Sequence, residues 1–227
     1  MDQRSMLLIV AVIGLASPAM ASETSFAVDP SLGNSVVSAV FDSAIGERIT
    51  AVSSAIGCTL TVDESSLEGR AHCSVPLTSV RVDNDDTKSE HFAEWATNKK
   101  SEPATCTLEV DVPAVKLPAT PKEKTPLQFT TEGTFVICGR KRDDGGREKI
   151  ATTLTYLPAG TYGEKRTLRI RARIEKFDRE RYGVSPKNTS GWLSRVQQLA
   201  PVVAAEGTID VSAFATTADA AEPKPAH

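Results

Sequence analysis

The chain has 227 residues, a formal net charge of −3 and 24 % charged residues, with acids and bases interleaved. That balance, without an aromatic-basic surface pattern, gives no ground for a nucleic-acid partner, and the length suffices for one large domain with a sizeable core. Aromatic residues make up only 5 % of the chain, so whatever is buried is lined mainly by aliphatic side chains and threonine.

Residues 1–21 read as a secretory signal peptide. Arg4 precedes an apolar run over 6–16, and Pro18 precedes Ala19-Met20-Ala21, an A-x-A cleavage site that puts the mature N-terminus at Ser22. The run is too short to span a bilayer, and no later stretch approaches ~20 apolar residues. No transmembrane segment is therefore expected, and the product should be exported to the periplasm or secreted. Cys58, Cys73, Cys106 and Cys138 form no C-x-x-C pair, and in an exported chain they read as disulfides, not as a metal site.

Down the mature chain, strands are predicted in quick succession. Ser35, Val37, Ala39 and Phe41 share one phase, and residues 48–54 and 57–62 are short strands. The turn composition of 63–69 makes a hairpin with the strand through Ala71, Cys73, Val75 and Leu77. Asp83-Asn84-Asp85-Asp86 lacks the glycine and distant glutamate of an EF-hand and reads as an acidic turn capping the helix predicted over 87–99. A strand over 105–112 leads into a Pro/Lys-rich loop at 113–126. Strands over 127–140 and 147–157 flank Asp143-Asp144-Gly145-Gly146, a strong hairpin signal.

The clearest alternation follows: Leu168, Ile170, Ala172 and Ile174 against Arg169, Arg171, Arg173 and Glu175. It changes phase at Lys176–Phe177, as at a bulge. A partly helical stretch over 190–203 and a closing strand over 207–214 complete the domain, leaving 215–227 as a disordered tail. About nine strands with short turns and two helical inserts make an antiparallel barrel or sandwich; periodicity does not choose between them.

In the first hairpin both cysteines share the apolar phase across a turn near Ser65–Ser66, which pairs Cys58 with Cys73. Cys106 and Cys138 are then the second pair. Their phases disagree, since Cys106 falls with Leu108 and Val110 but Cys138 falls opposite Phe135 and Ile137, so a bulge is expected between them.

Five stretches carry a resemblance. Phe26-Ala27-Val28-Asp29-Pro30 with Ser35-Val36-Val37 resembles the opening strand of the YceI-like family. Residues 56–63, IGCTLTVD, are similar to its F-x-G-x-I-x-x-D turn. Lys88-Ser89-Glu90-His91-Phe92 stands where the family has R-D-x-H-L, residues 133–139 where it has G-x-L-T-I-x-G, and residues 177–183, FDRERYG, match its aromatic-D-R-x-x-F/Y-G segment. The resemblance covers the chain from Phe26 to about Phe214. It implies an all-β fold, an extended antiparallel lipocalin-like barrel of about eight strands with one or two short helical inserts, in a single domain over 22–214. It also implies binding or carriage, without catalysis, of a long isoprenoid or other lipid chain, and no cofactor beyond a bound isoprenoid or isoprenoid quinone.

Within such a barrel, alternation points Phe41, Leu60, Val75, Leu77, Leu108, Val110, Phe129, Phe135, Ile170 and Ile174 inward as the wall around the ligand. Phe92, Trp95 and Phe177 belong nearer a mouth, with His91 and Arg179 as head-group partners; polar groups are expected to matter only there. Asp178, Arg179, Glu180 and Arg181 read as a rim salt-bridge network. No G-x-S-x-G elbow, H-E-x-x-H pair or phosphate-cradling loop is present, so neither a catalytic residue nor a metal is expected. The competing reading is a secreted sandwich or filled barrel acting through surface contacts, as an envelope or adhesion protein. The sequence leaves the oligomeric state open, a dimer included.

Overall fold

The computed structural model describes residues 23–29, 32, 35–43, 45–97, 102–161, 163–185 and 203–217. The early strands are β1 (Glu23–Val28), β2 (Val36–Ser43), β3 (Arg48–Ser53), β4 (Gly57–Asp63), β5 (Glu68–Pro76) and β6 (Arg81–Val82). After helix α1 (Asp86–Ala96) come β7 (Thr107–Lys116), β8 (Pro126–Ile137), β9 (Arg140–Lys141), β10 (Glu148–Leu157), β11 (Thr167–Asp178) and β12 (Val203–Thr217). Eight of them close an antiparallel ring in the order β1, β4, β5, β7, β8, β10, β11, β12 and back to β1. The fold is the closed eight-stranded lipocalin-like barrel that the resemblance implies.

The 15-residue strand β12 organises the ring. Its last residues, Ala215–Thr217, pair with β1, and its earlier part, from Val203 to Ser212, pairs with β2. β1 and β2 thus lie end to end along one edge of β12. From β2 the sheet continues through β3 to β6, and α1 follows β6 directly. The half of the barrel beside β1 is called upper below, and the half beside β2, β3 and α1 lower. Gly207 stands opposite Phe41 in the β12–β2 register, where any Cβ would come within 2.4 Å of the Phe41 ring and 2.5 Å of the Val40 carbonyl oxygen. A glycine there lets the ring lie across the strand.

The alternation of β11 is realised as read. Leu168, Ile170, Ala172 and Ile174 line the interior, while Arg173 outside pairs with Asp210 at 3.2 Å and Arg169 lies over the Phe214 ring. The register shifts between Ile174 and Phe177, the bulge that the phase change predicts, and both side chains end up buried. Sinking one such side chain is worth ~1.5–3 kcal/mol, so the phase of a strand is strongly selected wherever one face is buried.

Several boundaries differ from the sequence reading, among them the helix, which spans Asp86–Ala96 and not 87–99, and the strand over 127–140, which breaks after Ile137 into β8 and β9. The 113–126 loop is shorter, because β7 runs on to Lys116 and Leu117 donates its N–H to the Leu67 carbonyl at 2.8 Å. The closing strand continues past 214, with Ala215 fully buried and the Thr217 N–H bonded to the Arg166 carbonyl at 3.0 Å, so 215–217 is strand and not tail. Val203, read as the end of a helical stretch, begins β12. Leu77 leaves the strand for a 3₁₀ turn (Leu77–Ser79) after Pro76. The signal peptide, the helical reading of 190–202 and the tail from 218 lie outside the described residues.

Both cysteine pairs are bonded. Cys58 and Cys73 are direct cross-strand partners with Cα atoms 4.1 Å apart, as the hairpin phase requires. Cys106 and Cys138 join just before β7 and just after β8. The expected bulge is absent there. Cys138 instead adopts a left-handed backbone (φ 49°), followed by Gly139 (φ 77°), and this reversal resolves the phase disagreement.

Candidate functional site

The barrel interior is open. An upper chamber of about 220 Å3 runs between β4, β5, β7, β8, β10, β11 and β12, lined almost wholly by apolar atoms. A lower chamber of about 260 Å3 lies between β2, β3, α1 and the segment after β11. Ala39, Leu108, Phe135 and Ile209 border both, so the chambers adjoin across these four residues. Together they fall in the range of ~300–1,000 Å3 typical of small-molecule sites. The 12-residue strands β8 and β11 are each ~40 Å long at ~3.3 Å per residue and, tilted as barrel strands are, rise ~30 Å along the axis, enough to follow an extended chain of many carbons.

Leu60, Val75, Val110, Phe129, Ile170 and Ile174 line the upper chamber, Leu108 and Phe135 border both, and Phe41, Phe92, Trp95 and Phe177 line the lower chamber. Leu77, expected in the wall, borders neither. On its 3₁₀ turn it is 2 % exposed and packs in the core with Ala96, Cys106 and Ile137. Val115 and Leu117 close the top of the upper chamber, from a segment that composition marks only as loop.

Helix α1 brings the polar groups. Asp85 caps it, accepting the Lys88 N–H at 2.9 Å, and Ser89 accepts the Val82 N–H at 3.0 Å. At its far end Arg140 donates to the Ala96 carbonyl, a cation placed favourably at a helix C-terminus. Held at both ends, α1 turns Lys88, His91, Phe92 and Trp95 to the lower chamber, with Glu47 beside them. Asp83 binds Lys88 at 2.7 Å. Burial opposes ionisation of the Asp83 carboxyl, but its bonds to Lys88 and the Thr50 N–H hold it below its usual value, while Lys88 is pushed up by Asp83. Sequence reasoning named His91 and missed Lys88, although Lys88 lies one turn earlier on the same helical face. Glu47 carries no local signal.

Arg179, expected as a head-group partner, borders the lower chamber, and its guanidinium is bonded to the backbone. It is 6 % exposed, and its Nε, Nη1 and Nη2 donate to the carbonyls of Ala204 (3.1 Å), Val184 (2.5 Å) and Val203 (2.8 Å). The guanidinium is a clamp that ties the start of β12 to the 3₁₀ turn Arg179–Tyr182, and burial lowers its pKa. Asp178 caps that turn through the Glu180 N–H, and Gly183 ends it in the left-handed region (φ 65°). Tyr182 stacks on Phe177 at 5.0 Å, Phe177 meets Phe135 at 5.3 Å, and the Tyr182 hydroxyl donates to buried Glu148 at 2.7 Å. Burial, and then that bond, push the Tyr182 pKa far up. The rim network is real: Arg181 pairs with Asp144 and, at 3.4 Å, with Asp178.

Among the described residues no group of His, Cys, Asp and Glu is placed to hold a metal ion, and no helix is long and apolar enough to cross a membrane. No protein-family profile matches the chain, and no curated protein does. Among solved structures, a polyisoprenoid-binding domain from Saccharophagus degradans, implicated in plant cell wall breakdown, matches with a TM-score of 0.59 at 13 % identity. The match covers 86 % of this chain and 99 % of that one. The likeness is one of fold: the two chains share the closed antiparallel barrel.

Proposed function

We propose that this protein binds or carries a long isoprenoid or other lipid chain inside its barrel, without covalent chemistry on it, in the periplasm or outside the cell. The observation that carries this reading is the pair of adjoining apolar chambers. An apolar chain gains ~0.8 kcal/mol for each CH₂ it buries and needs no directional partner along the wall. The same fold in a polyisoprenoid-binding domain supports the ligand class, and two disulfides fit an oxidising compartment. A filled barrel acting through its surface would not leave this interior open.

Delipidated, folded protein should take up a prenyl alcohol, prenyl quinone or fatty acid at micromolar concentration, read by native mass spectrometry as a one-to-one complex. Uptake of none of them would return the surface-contact reading to first place.

A further inference from the structure

The hairpin between β2 and β3 ends in an exposed isoleucine. Ser43 donates its N–H to the Glu47 carbonyl at 2.7 Å, its hydroxyl accepts the Glu47 N–H at 3.0 Å, and Gly46 (φ 82°) donates to the Ser43 carbonyl at 3.0 Å. These bonds fix the turn and leave Ile45 at its corner, 68 % exposed. A polar residue would serve the turn as well, so the fold does not account for a β-branched apolar side chain there. Among the described residues, Val52 on β3 is the other exposed large hydrophobic.

A single exposed aliphatic residue needs no explanation by itself, but this one stands beside the interior. Phe41, Glu47 and Ile49 of the same hairpin border the lower chamber, and so do Lys88 and His91 of α1. Glu47 and His91 are exposed, and the Lys88 side chain is 47 % exposed, so the chamber meets solvent between hairpin and helix. Half-buried Trp95 borders it from the same helix, and an indole suits the interfacial layer of a bilayer. An apolar chain that left through water would forfeit ~0.8 kcal/mol for each CH₂ exposed, which favours direct passage into an apolar phase.

We infer that the Ile45 tip docks the lower end of the barrel on the surface of a zwitterionic bilayer, where the ligand passes between membrane and chamber. This rests on the lipid-binding reading and names the partner of that site. Immersing one isoleucine is worth at most ~1.5–3 kcal/mol, which suits a brief contact and not lasting attachment. A bilayer accepts one protruding side chain without a matching pocket, whereas a stable protein partner needs ~1,200–2,000 Å2 of complementary surface, far more than a hairpin tip offers. Charge selects the kind of bilayer. Acids outnumber bases on the hairpin from Asp42 to Arg48 and again from Arg81 to Ala96, where Arg81 is paired with Asp86 and Lys88 with Asp83. An anionic surface therefore repels this end of the barrel.

The test follows transfer of a fluorescent anthroyloxy-stearate from loaded full-length protein to phosphatidylcholine vesicles, with the fold of each variant checked by melting. The wild-type rate should rise in proportion to vesicle concentration, as a collision requires. Ile45→Ser should slow transfer about tenfold and change equilibrium affinity for the probe by less than about twofold, while Ile45→Leu keeps the wild-type rate. Val52→Ser, on β3 opposite Arg81, should leave the rate unchanged. Adding phosphatidylglycerol to the vesicles should slow transfer at low ionic strength, and salt should restore it. A rate independent of vesicle concentration, or a wild-type rate in Ile45→Ser, would overturn membrane docking and leave lipid binding standing, with a protein partner as the occupant of the tip. Faster transfer to the anionic vesicles would overturn the choice of a zwitterionic surface. Failure of folded wild type to bind the probe, a prenyl alcohol or a prenyl quinone would overturn the lipid-binding reading as well.

Discussion

The two chambers adjoin but are built differently. The upper one is walled by long strands of the ring, and each strand contributes every second residue. The lower one is assembled from a helix, two short strands, an aromatic stack and a buried arginine, held by contacts between segments distant in sequence. The upper wall is tolerant of apolar exchange, since volume and phase are all it needs. The lower end depends on individual hydrogen bonds and ring contacts, and it is bordered by Glu47, Lys88, His91 and Arg179. One half of the barrel suits a chain, and the other sets where its wall stops and what meets water.

The contrast is broken most sharply by a charge in the upper wall. Ile170→Asp should abolish lipid uptake, because an unpaired carboxylate there is strongly disfavoured beside an apolar chain, whereas Arg171→Ala on the outer face should leave uptake nearly intact. Equilibrium binding with melting curves on both variants separates loss of the site from loss of the fold.

In the lower half, Arg179→Met should cost about 3–5 kcal/mol in urea unfolding, because three main-chain carbonyls lose their donors at once. Arg179→Lys should recover little of it, since an ammonium does not reproduce the planar fork. A loss below about 1 kcal/mol would show that the clamp is dispensable.

The disulfides sharpen the same comparison with smaller effects. Replacing Cys58 and Cys73, 15 residues apart, by alanine should cost ~3 kcal/mol, and replacing Cys106 and Cys138, 32 residues apart, ~3.7 kcal/mol by loop-closure entropy. The first pair borders the upper chamber, so its removal should also alter ligand affinity; the second belongs to the core and should act on stability alone. Peptide mapping without reductant checks the pairing, and binding isotherms check the split.

The smallest effect concerns the hairpin turn at the end of β4. Asp63 accepts from the Ser65 hydroxyl and the Ser65 and Ser66 N–H groups, which lower its pKa to about 2. A depressed carboxylate contributes stability that is present above its unfolded value near ~3.9 and lost as pH falls through 2. Asp63→Asn should therefore flatten the stability profile between pH ~4 and 2, lying below wild type above pH ~4 and meeting it near pH 2. An unchanged acid limb would remove Asp63 from the account.

The ring strands, the hairpin that pairs Cys58 with Cys73, the bulge at Ile174–Phe177 and most of the chamber wall were legible in the sequence. A period of two is local, and burying one face penalises every residue of a slipped register, so alternation in β4, β5, β8 and β11 reports the inner face directly. Residues whose position depends on a turn were not. Leu77 follows the alternation on paper, yet the 3₁₀ turn after Pro76 takes it into the core. Cys138 sits in the wrong phase until its left-handed backbone turns it to Cys106.

The polar groups divide in the same way. His91, Phe92 and Trp95 share a helical face that spacing alone marks out. Arg179 reads as a rim charge, and only the free carbonyls at the start of β12 make it a buried clamp. The inward phase of Thr131 is legible, but the burial of its hydroxyl without a partner among the described residues is not, because satisfaction of a hydrogen bond depends on atoms from other strands. The sequence by itself determined the apolar face of each wall strand and its phase, since these sum local preferences over many residues. The tertiary structure decided that the wall closes into a ring, where it ends and which cation is spent on the backbone, since each depends on a few long-range contacts that no local pattern encodes.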